Sequence, residues 1–381
     1  MALPVPSGEY AVGTFTFTVW NDRPEALNPS AMRSVAARVY YPAPKDRVEG
    51  CARARSLSRH AVEELRKIFR LRLDYDRMEE AGENRSACYE GAPRPDGVKF
   101  PLIVFNHALA SYREGNSFLC IDLASHGYVV ISVAHAPDAL CAEFDDGSFI
   151  PFDRSILKKL YQPRVGGMIA ALKLTRAKGT AEELAARFDA FQDKYCGYQK
   201  GRLVEWAKDT QAAVKYAREN LSDLIDFEKG IGAAGHSFGG DTAYRLCVDD
   251  PEYACGVNID GAPFGDYRDA VQKKPFLQIC CRSNEKLAAR ICLRHEKPVW
   301  KVLFRDMKHV GFSDMKHRLR FASMAGRLPP DVMHENLCRC HLAFFDAYLK
   351  GTRREPDLRS NDVITVTRFD PDCGRPEGAE S

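Results

Sequence analysis

The sequence predicts an α/β fold: one domain with a mostly parallel central sheet, helices on both faces and a cap built from two insertions. Three observations carry this. Continuous apolar runs at residues 100–105 and 128–133 have the composition of strands buried on both faces, as in a parallel sheet. A helical segment at 116–125 lies between them, so strand, loop, helix and strand make a βαβ unit. A third apolar run ends in Gly235-His236-Ser237-Phe238-Gly239 and passes at once into a helical-looking segment at 241–249.

A chain of 381 residues can bury a large core, and 45% apolar with 28% charged residues is ordinary globular composition. The length allows two domains, but one domain with insertions suits the placement of the strand-like runs. A net charge of +3 argues against a dedicated nucleic-acid binder. The 13 cysteines are odd in number and lack the spacing of a disulfide scaffold. With no secretory leader visible at Met1-Ala2-Leu3-Pro4, they read as reduced thiols in a cytoplasmic protein, although a secreted form with its leader removed stays open. No apolar run approaches the ~20 residues needed to span a bilayer, so no transmembrane segment is expected.

Residues 14–20 and 34–41 are rich in β-branched and aromatic side chains and read as two antiparallel strands. Turn chemistry lies between them at Asn21-Asp22-Arg23-Pro24 and Asn28-Pro29-Ser30. The first insertion covers about 46–97; within it, 61–78 has helical periodicity (Leu65, Ile68, Phe69, Arg72). The core resumes with the strand at 100–105, a loop at 106–111, the helix at 116–125 stopped by Gly127, and the strand at 128–133. The second insertion covers about 137–199, with turn-like Asp145-Asp146-Gly147 and a helix at 181–192. Leu203, Trp206, Ala207, Thr210, Ala213, Val214 and Ala217 mark a core-facing helix. Beyond the run at 231–236, strand-like stretches follow at 255–259, 276–280 and 300–304. The last long helix covers about 330–349, with Leu337, Cys340, Phe344, Phe345 and Tyr348 inward and Gly351 as its stop. The core thus comprises about 10–45, 98–136 and 200–350, and the polar tail 353–381 holds one candidate edge strand at 363–369.

Gly-x-Ser-x-Gly between a strand and a helix is the nucleophile-elbow signature of the α/β-hydrolases, so a single α/β-hydrolase domain over 1–381 is expected. The serine must occupy a sharp turn that neighbouring side chains would obstruct, and Gly235 and Gly239 remove them. A serine hydroxyl is a poor nucleophile at neutral pH. It needs a histidine to take its proton and a carboxylate to orient that histidine. In this fold the order is serine, acid, histidine, with the last two in loops after later strands. Asp260 directly follows the strand at 255–259, 260 − 237 = 23 residues after Ser237. His309 follows the strand at 300–304, 309 − 260 = 49 residues further on. The expected catalytic residues are therefore Ser237, Asp260 and His309. An oxyanion hole needs two N–H donors. Phe238 supplies one, and the loop Asn106-His107-Ala108-Leu109 supplies the other, with Leu109 favoured.

Five stretches carry a family resemblance: Phe105-Asn106-His107-Ala108-Leu109; Ile121-Asp122-Leu123-Ala124-Ser125-His126-Gly127-Tyr128-Val129-Val130; Gly235-His236-Ser237-Phe238-Gly239-Gly240; Cys255-Gly256-Val257-Asn258-Ile259-Asp260; and His309-Val310-Gly311-Phe312-Ser313-Asp314. In these, the chain resembles the type II (plasma-type) platelet-activating-factor acetylhydrolases and their bacterial relatives over roughly residues 10–45 and 98–350. The resemblance implies calcium-independent hydrolysis of short or oxidised acyl esters, notably at the sn-2 position of phospholipids. It maps the triad onto Ser237, Asp260 and His309 and the oxyanion donors onto Leu109 and Phe238. The chain departs from the family pattern at His107-Ala108, where the family usually has His-Gly, and at His135-Ala136-Pro137-Asp138, where it often has His-Arg-Asp. The two insertions match it poorly.

Other histidines and cysteines admit plainer roles. His317, eight residues after His309 in a probable helix, is the competing base. His236 is expected to pack or hydrogen-bond beside the nucleophile, and His107 to shape the oxyanion loop; both are also candidates for substrate contact. Cys338-Arg339-Cys340-His341 superficially suggests a metal cluster, but on a helix those side chains diverge and no second pair is suitably spaced, so no metal is expected. The helix at 61–78 is either an ordinary amphipathic surface helix or a lipid-contacting flap. The expected function is a cofactor-independent serine esterase acting on a small ester or lipid-like substrate. An amidase, a lactonase like the dienelactone hydrolases, a polyester hydrolase or a non-catalytic binding protein remain alternatives on the same fold.

Overall fold

The computed structural model describes residues 3–318 and 322–371. The strands among the described residues are β1 (Ala11–Glu25), β2 (Asn28–Ala43), β3 (Arg53–Arg55), β4 (Arg85–Glu90), β5 (Leu102–Asn106), β6 (Val129–Ala134), β7 (Cys141–Glu143), β8 (Phe149–Pro151), β9 (Ile231–His236), β10 (Tyr253–Ile259), β11 (Phe276–Cys281), β12 (Val299–Phe304) and β13 (Ile364–Phe369). Eleven of them form one sheet in the order β13-β12-β11-β10-β9-β5-β6-β2-β1-β4-β3. From β6 through β5, β9, β10 and β11 to β12 every neighbour is parallel. β2 adds to β6, and β13 to β12, antiparallel. The predicted mostly parallel sheet is therefore present, with helices on both faces.

Side chains alternate across each strand and divide between two cores. Ile103 and Phe105 of β5 face Leu119 and Leu123 of the helix Ser117–Ser125 and Leu337 and Phe344 of the helix Pro330–Tyr348. Leu102 and Val104 face Trp206 and Ala213 of the helix Gly197–Asn220 and Tyr244 of the helix Phe238–Asp249. Each such side chain, fully buried, contributes roughly 1.5–3 kcal/mol. That burial holds the C-terminal ends of β5, β9, β10 and β12 in fixed relative positions, and all the candidate site residues lie at those ends.

Local structure differs from the sequence expectation in three places. Asn21-Asp22-Arg23-Pro24 is not the hairpin turn. β1 runs through it as an irregularity, with Asn21 at φ 50, and the chain reverses only between Glu25 and Asn28. Long-range pairing outweighs local turn chemistry here: Arg23 reaches Glu205 and Asp209 on the helix Gly197–Asn220, and Arg33 from β2 reaches the same Asp209. The single helix expected at 61–78 is two. Arg59–Phe69 ends with Arg70 at φ 54, and Tyr75–Glu80 begins where Asp74 accepts the Arg77 N–H. The break lets Leu71 and Leu73 reach the same apolar cluster as Leu65. Finally, the helix after the elbow starts at Phe238, three residues before the expected start.

The first insertion also divides. Its ends, β3 and β4, extend the main sheet beyond β1. Its middle packs Val62 and Leu65 onto Tyr112 and Leu140, residues that follow β5 and β6. The second insertion carries the separate β7–β8 hairpin and the helices Arg164–Arg176 and Ala181–Tyr195, the latter started by a reciprocal capping box between Thr180 and Glu183. In the polar tail, β13 occupies the expected edge position, and residues 372–381 lie outside the described residues. No helix among the described residues is long and apolar enough to cross a membrane.

Candidate active site

β9 ends at His236, and Ser237 turns the chain with φ 57 and ψ −119 into the helix Phe238–Asp249. A non-glycine residue held there costs of order 1–3 kcal/mol, and such strain collects at functional sites. The turn is fixed by the Ser237 N–H donating to the Ile259 carbonyl at 2.7 Å. It also needs bare backbone on both sides. A Cβ on Gly235 would overlap the Gly239 carbonyl, and one on Gly239 would overlap the Asn106 carbonyl. The helix N-terminus behind Ser237 thus sits directly against the loop that follows β5.

The structure brings Ser237, His309 and Asp260 together from the ends of three strands. His309 Nε2 lies 2.9 Å from Ser237 Oγ, and His309 Nδ1 lies 2.7 Å from Asp260 Oδ2. Asp260 is buried, at 2% exposure, with φ 59 and its N–H on the Ile279 carbonyl. Its Oδ1 accepts the Cys281 N–H at 2.8 Å; its Oδ2 also accepts the Asn284 side-chain N–H at 2.8 Å and the Cys281 thiol at 3.2 Å. Burial and the Asp260 carboxylate push the Cys281 thiol up to about 12, so it stays a donor. With Nδ1–H held by the carboxylate, the Nε2 lone pair faces the serine hydroxyl. The His309 side chain is 38% exposed, open to solvent and substrate.

Two backbone amides near these residues are unpaired. Among the described residues, neither the Leu109 nor the Phe238 N–H has an acceptor inside the protein. The Leu109 loop is shaped by its neighbours: Ala110 has φ 58 and donates to the Asp138 carbonyl at 2.9 Å, and Ser111 donates to the Ala108 carbonyl at 2.9 Å. A buried polar network fixes this loop from below. Asp138 Oδ2 accepts Arg202 Nε at 2.8 Å and Trp206 Nε1 at 2.9 Å. His135, stacked on Trp206, lies between Asp209 Oδ2 (2.9 Å) and Asn106 Oδ1 (3.0 Å). Asp209 also accepts Arg33 Nε at 2.6 Å and Arg23 Nη2 at 2.7 Å.

The remaining histidines separate by environment. His107 is fully buried; its Nδ1–H donates to the Ala108 carbonyl at 2.8 Å and its Nε2 accepts the His135 N–H at 3.1 Å. Burial, then His135, holds its ring down to about 3, so it is neutral. Those two bonds tie it to the backbone of the loop after β5 and of the segment after β6, and in this structure it has no exposed surface. His236 donates Nε2–H to the His309 carbonyl at 3.1 Å, and burial followed by His309 holds it well below the usual imidazole range. It is a neutral prop under the His309 loop. His317 is buried against Phe118, on the helix Met315–Arg318.

A cavity of about 380 Å³ opens beside His309. Leu65, Phe69 and Leu71 of the first insertion wall it opposite Leu109, Val310 and Met315. The arrangement can therefore hold an apolar group beside His309, whose Nε2 lies against the Ser237 hydroxyl. Sequence reasoning missed Asn284, Cys281 and the Arg33–Asp209–His135 network. Asn284 had one cue, a polar side chain just past a buried strand on the edge where loops carry chemistry. Asp209 had none, because its partners lie far away in sequence.

Comparison with known proteins adds a lineage. The family model described as "Platelet-activating factor acetylhydrolase, isoform II" matches residues 1–350. The chain is 30% identical over 171 residues to platelet-activating factor acetylhydrolase of Canis lupus familiaris, covering 44% of this chain and 36% of the dog protein. It is 32% identical over 174 residues to that of Bos taurus (45% and 37%) and 24% over 271 residues to that of Cavia porcellus (68% and 59%). The matches thus span between about a third and three fifths of those relatives' length. The solved structure of a ferulic acid esterase from Streptomyces cinnamoneus superimposes with a TM-score of 0.72 at 20% identity, covering 97% of this chain and 99% of that one, which shows a shared fold.

Proposed function

This chain belongs to the platelet-activating factor acetylhydrolase isoform II family, and we propose that it is a serine esterase cleaving short-chain carboxylic esters through an acyl-enzyme. The observation that carries this reading is the continuous relay Asp260–His309–Ser237, with spacings of 2.7 and 2.9 Å. Ser237 Oγ attacks the ester carbonyl while His309 Nε2 takes its proton. Asp260 orients the ring and stabilises the imidazolium that forms. The carbonyl oxygen, now negative, is stabilised by the N–H groups of Leu109 and Phe238. His309 then gives its proton to the leaving alcohol, and a water activated by the same ring releases the acid.

The substrate side of the proposal rests on the cavity and the relatives. A site of about 380 Å³ with largely apolar walls suits an acetyl or short acyl chain. The relatives named for platelet-activating factor support short acyl groups on phospholipid-like alcohols. A reducing compartment is part of the same proposal, supported by the 12 unpaired cysteines among the described residues. The test is a fluorophosphonate probe on the purified chain. Stoichiometric labelling on the peptide containing Ser237, absent in Ser237→Ala, is expected; an unlabelled wild type would remove the esterase reading.

A further inference from the structure

Remote from the cavity beside His309, two helices bring three different donor side chains together. Asp122 lies on the helix Ser117–Ser125, while His334 and Cys338 lie four residues apart on Pro330–Tyr348 and so project from one face. One carboxylate oxygen, one imidazole nitrogen and the Cys338 sulfur all lie within 4.8 Å of one another, and all three residues are buried. Their bonding capacity is not used up. Asp122 Oδ1 accepts the N–H and hydroxyl of Ser7 at 2.8 and 2.9 Å, but its Oδ2 is buried with no N–H or O–H partner, only the neighbouring Cys338 thiol beside it. His334 Nδ1 is buried without a partner as well. Unmatched buried polar atoms in a folded protein call for an explanation. A surface cleft of about 510 Å³ reaches all three side chains and gives a path from solvent.

We propose that Asp122, His334 and Cys338 form a binding site for one zinc ion. A carboxylate, an imidazole and a thiolate are the donor set that suits Zn²⁺, whereas Ca²⁺ and Mg²⁺ take oxygen ligands. Three protein ligands leave the fourth tetrahedral position to a water in the cleft. The donors must close to ~2.0–2.3 Å from the metal, a contraction that small side-chain rotations supply. A thiol ligates as thiolate, so binding releases the Cys338 proton to solvent, and carboxylate plus thiolate balance the double charge. The ion pins the last long helix to the helix after β5 and, through Asp122, to Ser7. Sequence spacing concealed the site: Cys338 pairs with His334 one turn back and with Asp122, 216 positions away (338 − 122 = 216), not with Cys340 or His341.

The test is a titration of the chelator-stripped full chain with Zn²⁺ against a chromophoric competitor. Wild type, His334→Ala, Cys338→Ser and Cys51→Ser are compared; Cys51 is half-buried and controls for adventitious thiol binding. The expected result is one Zn²⁺ per chain in wild type and Cys51→Ser, and binding weakened at least about tenfold in the other two. Co²⁺ should give a sulfur-to-metal charge-transfer band that Cys338→Ser abolishes. His334→Ala, near the cleft surface, keeps the test decisive where Cys338→Ser fails to fold. No stoichiometric binding by wild type, or binding unchanged in His334→Ala, overturns the proposal.

Discussion

The side-chain amide of Asn284 donates to Oδ2 of Asp260 at 2.8 Å, the same oxygen that His309 Nδ1 approaches at 2.7 Å. Asn284 therefore holds the acid without touching the serine. Its loss removes a hydrogen bond to a charged carboxylate, about 1.5–3 kcal/mol, so Asn284→Ala should lower kcat roughly tenfold or more with KM unchanged. Asn284→Asp should act differently. A second carboxylate beside His309 favours the imidazolium, raises the pH below which the base is protonated, and moves the acid limb of the kcat profile upward. Steady-state kinetics across pH separates the two variants; identical profiles would exclude a positioning role for Asn284.

The elbow holds Ser237 in a strained backbone conformation. At Ser237, φ 57 and ψ −119 suit glycine better than any side chain. Ser237→Gly and Ser237→Ala should both be inactive, but the glycine variant should be the more stable by about 1 kcal/mol. Thermal denaturation of the pair measures this, and equal stability would mean the turn is not strained.

Asp209 should make the fold sensitive to acid. Burial alone would push its carboxyl up, but Arg33 and then His135 outweigh it and hold the group far below the usual carboxylate range. A group depressed in the folded state stabilises above its unfolded pKa, about 3.9, and that stability drains away as pH falls further. Unfolding free energy should therefore drop steeply below about pH 4. Asp209→Asn leaves Arg33 and Arg23 without their shared buried charge, should cost about 3–5 kcal/mol at neutral pH, and should flatten the acid dependence. Urea unfolding at several pH values reads both effects.

Phe69, 44% exposed at the cavity rim, and Leu65, buried within it, set the room for the acyl chain. Leu65→Phe should shorten the longest ester accepted, while Phe69→Ala should shift the preference toward longer chains. Each methylene gained or lost is worth about 0.8 kcal/mol, or roughly fourfold in kcat/KM. A series of acyl lengths on both variants shows the shift; unchanged profiles would place the acyl chain elsewhere.

Elements whose information is local were legible in the sequence. The buried parallel strands announce themselves as apolar runs, and the elbow as two glycines around a serine between strand and helix. The positions of Asp260 and His309 follow from chain order and from lying just past a strand. Features built from distant residues were not legible. Arg23 and Arg33 override a turn signal at 21–24 because their partner, Asp209, sits on a helix more than 170 residues later. The break at Arg70 is decided by where Leu71 and Leu73 are buried, which periodicity alone does not contain. His107 reads from its place in the loop as a shaping residue with substrate contact as the lesser alternative; its burial against Trp206 and His135 is set by residues distant in sequence.

Ester hydrolysis by the relay Asp260–His309–Ser237 is directly measurable. The most direct measurement is hydrolysis of p-nitrophenyl esters, acetate through decanoate, by wild type and Ser237→Ala side by side. The account predicts turnover of acetate or butyrate by wild type, falling off with longer chains, and loss in Ser237→Ala to background. Equal rates in the two proteins, or none with any ester, would contradict it.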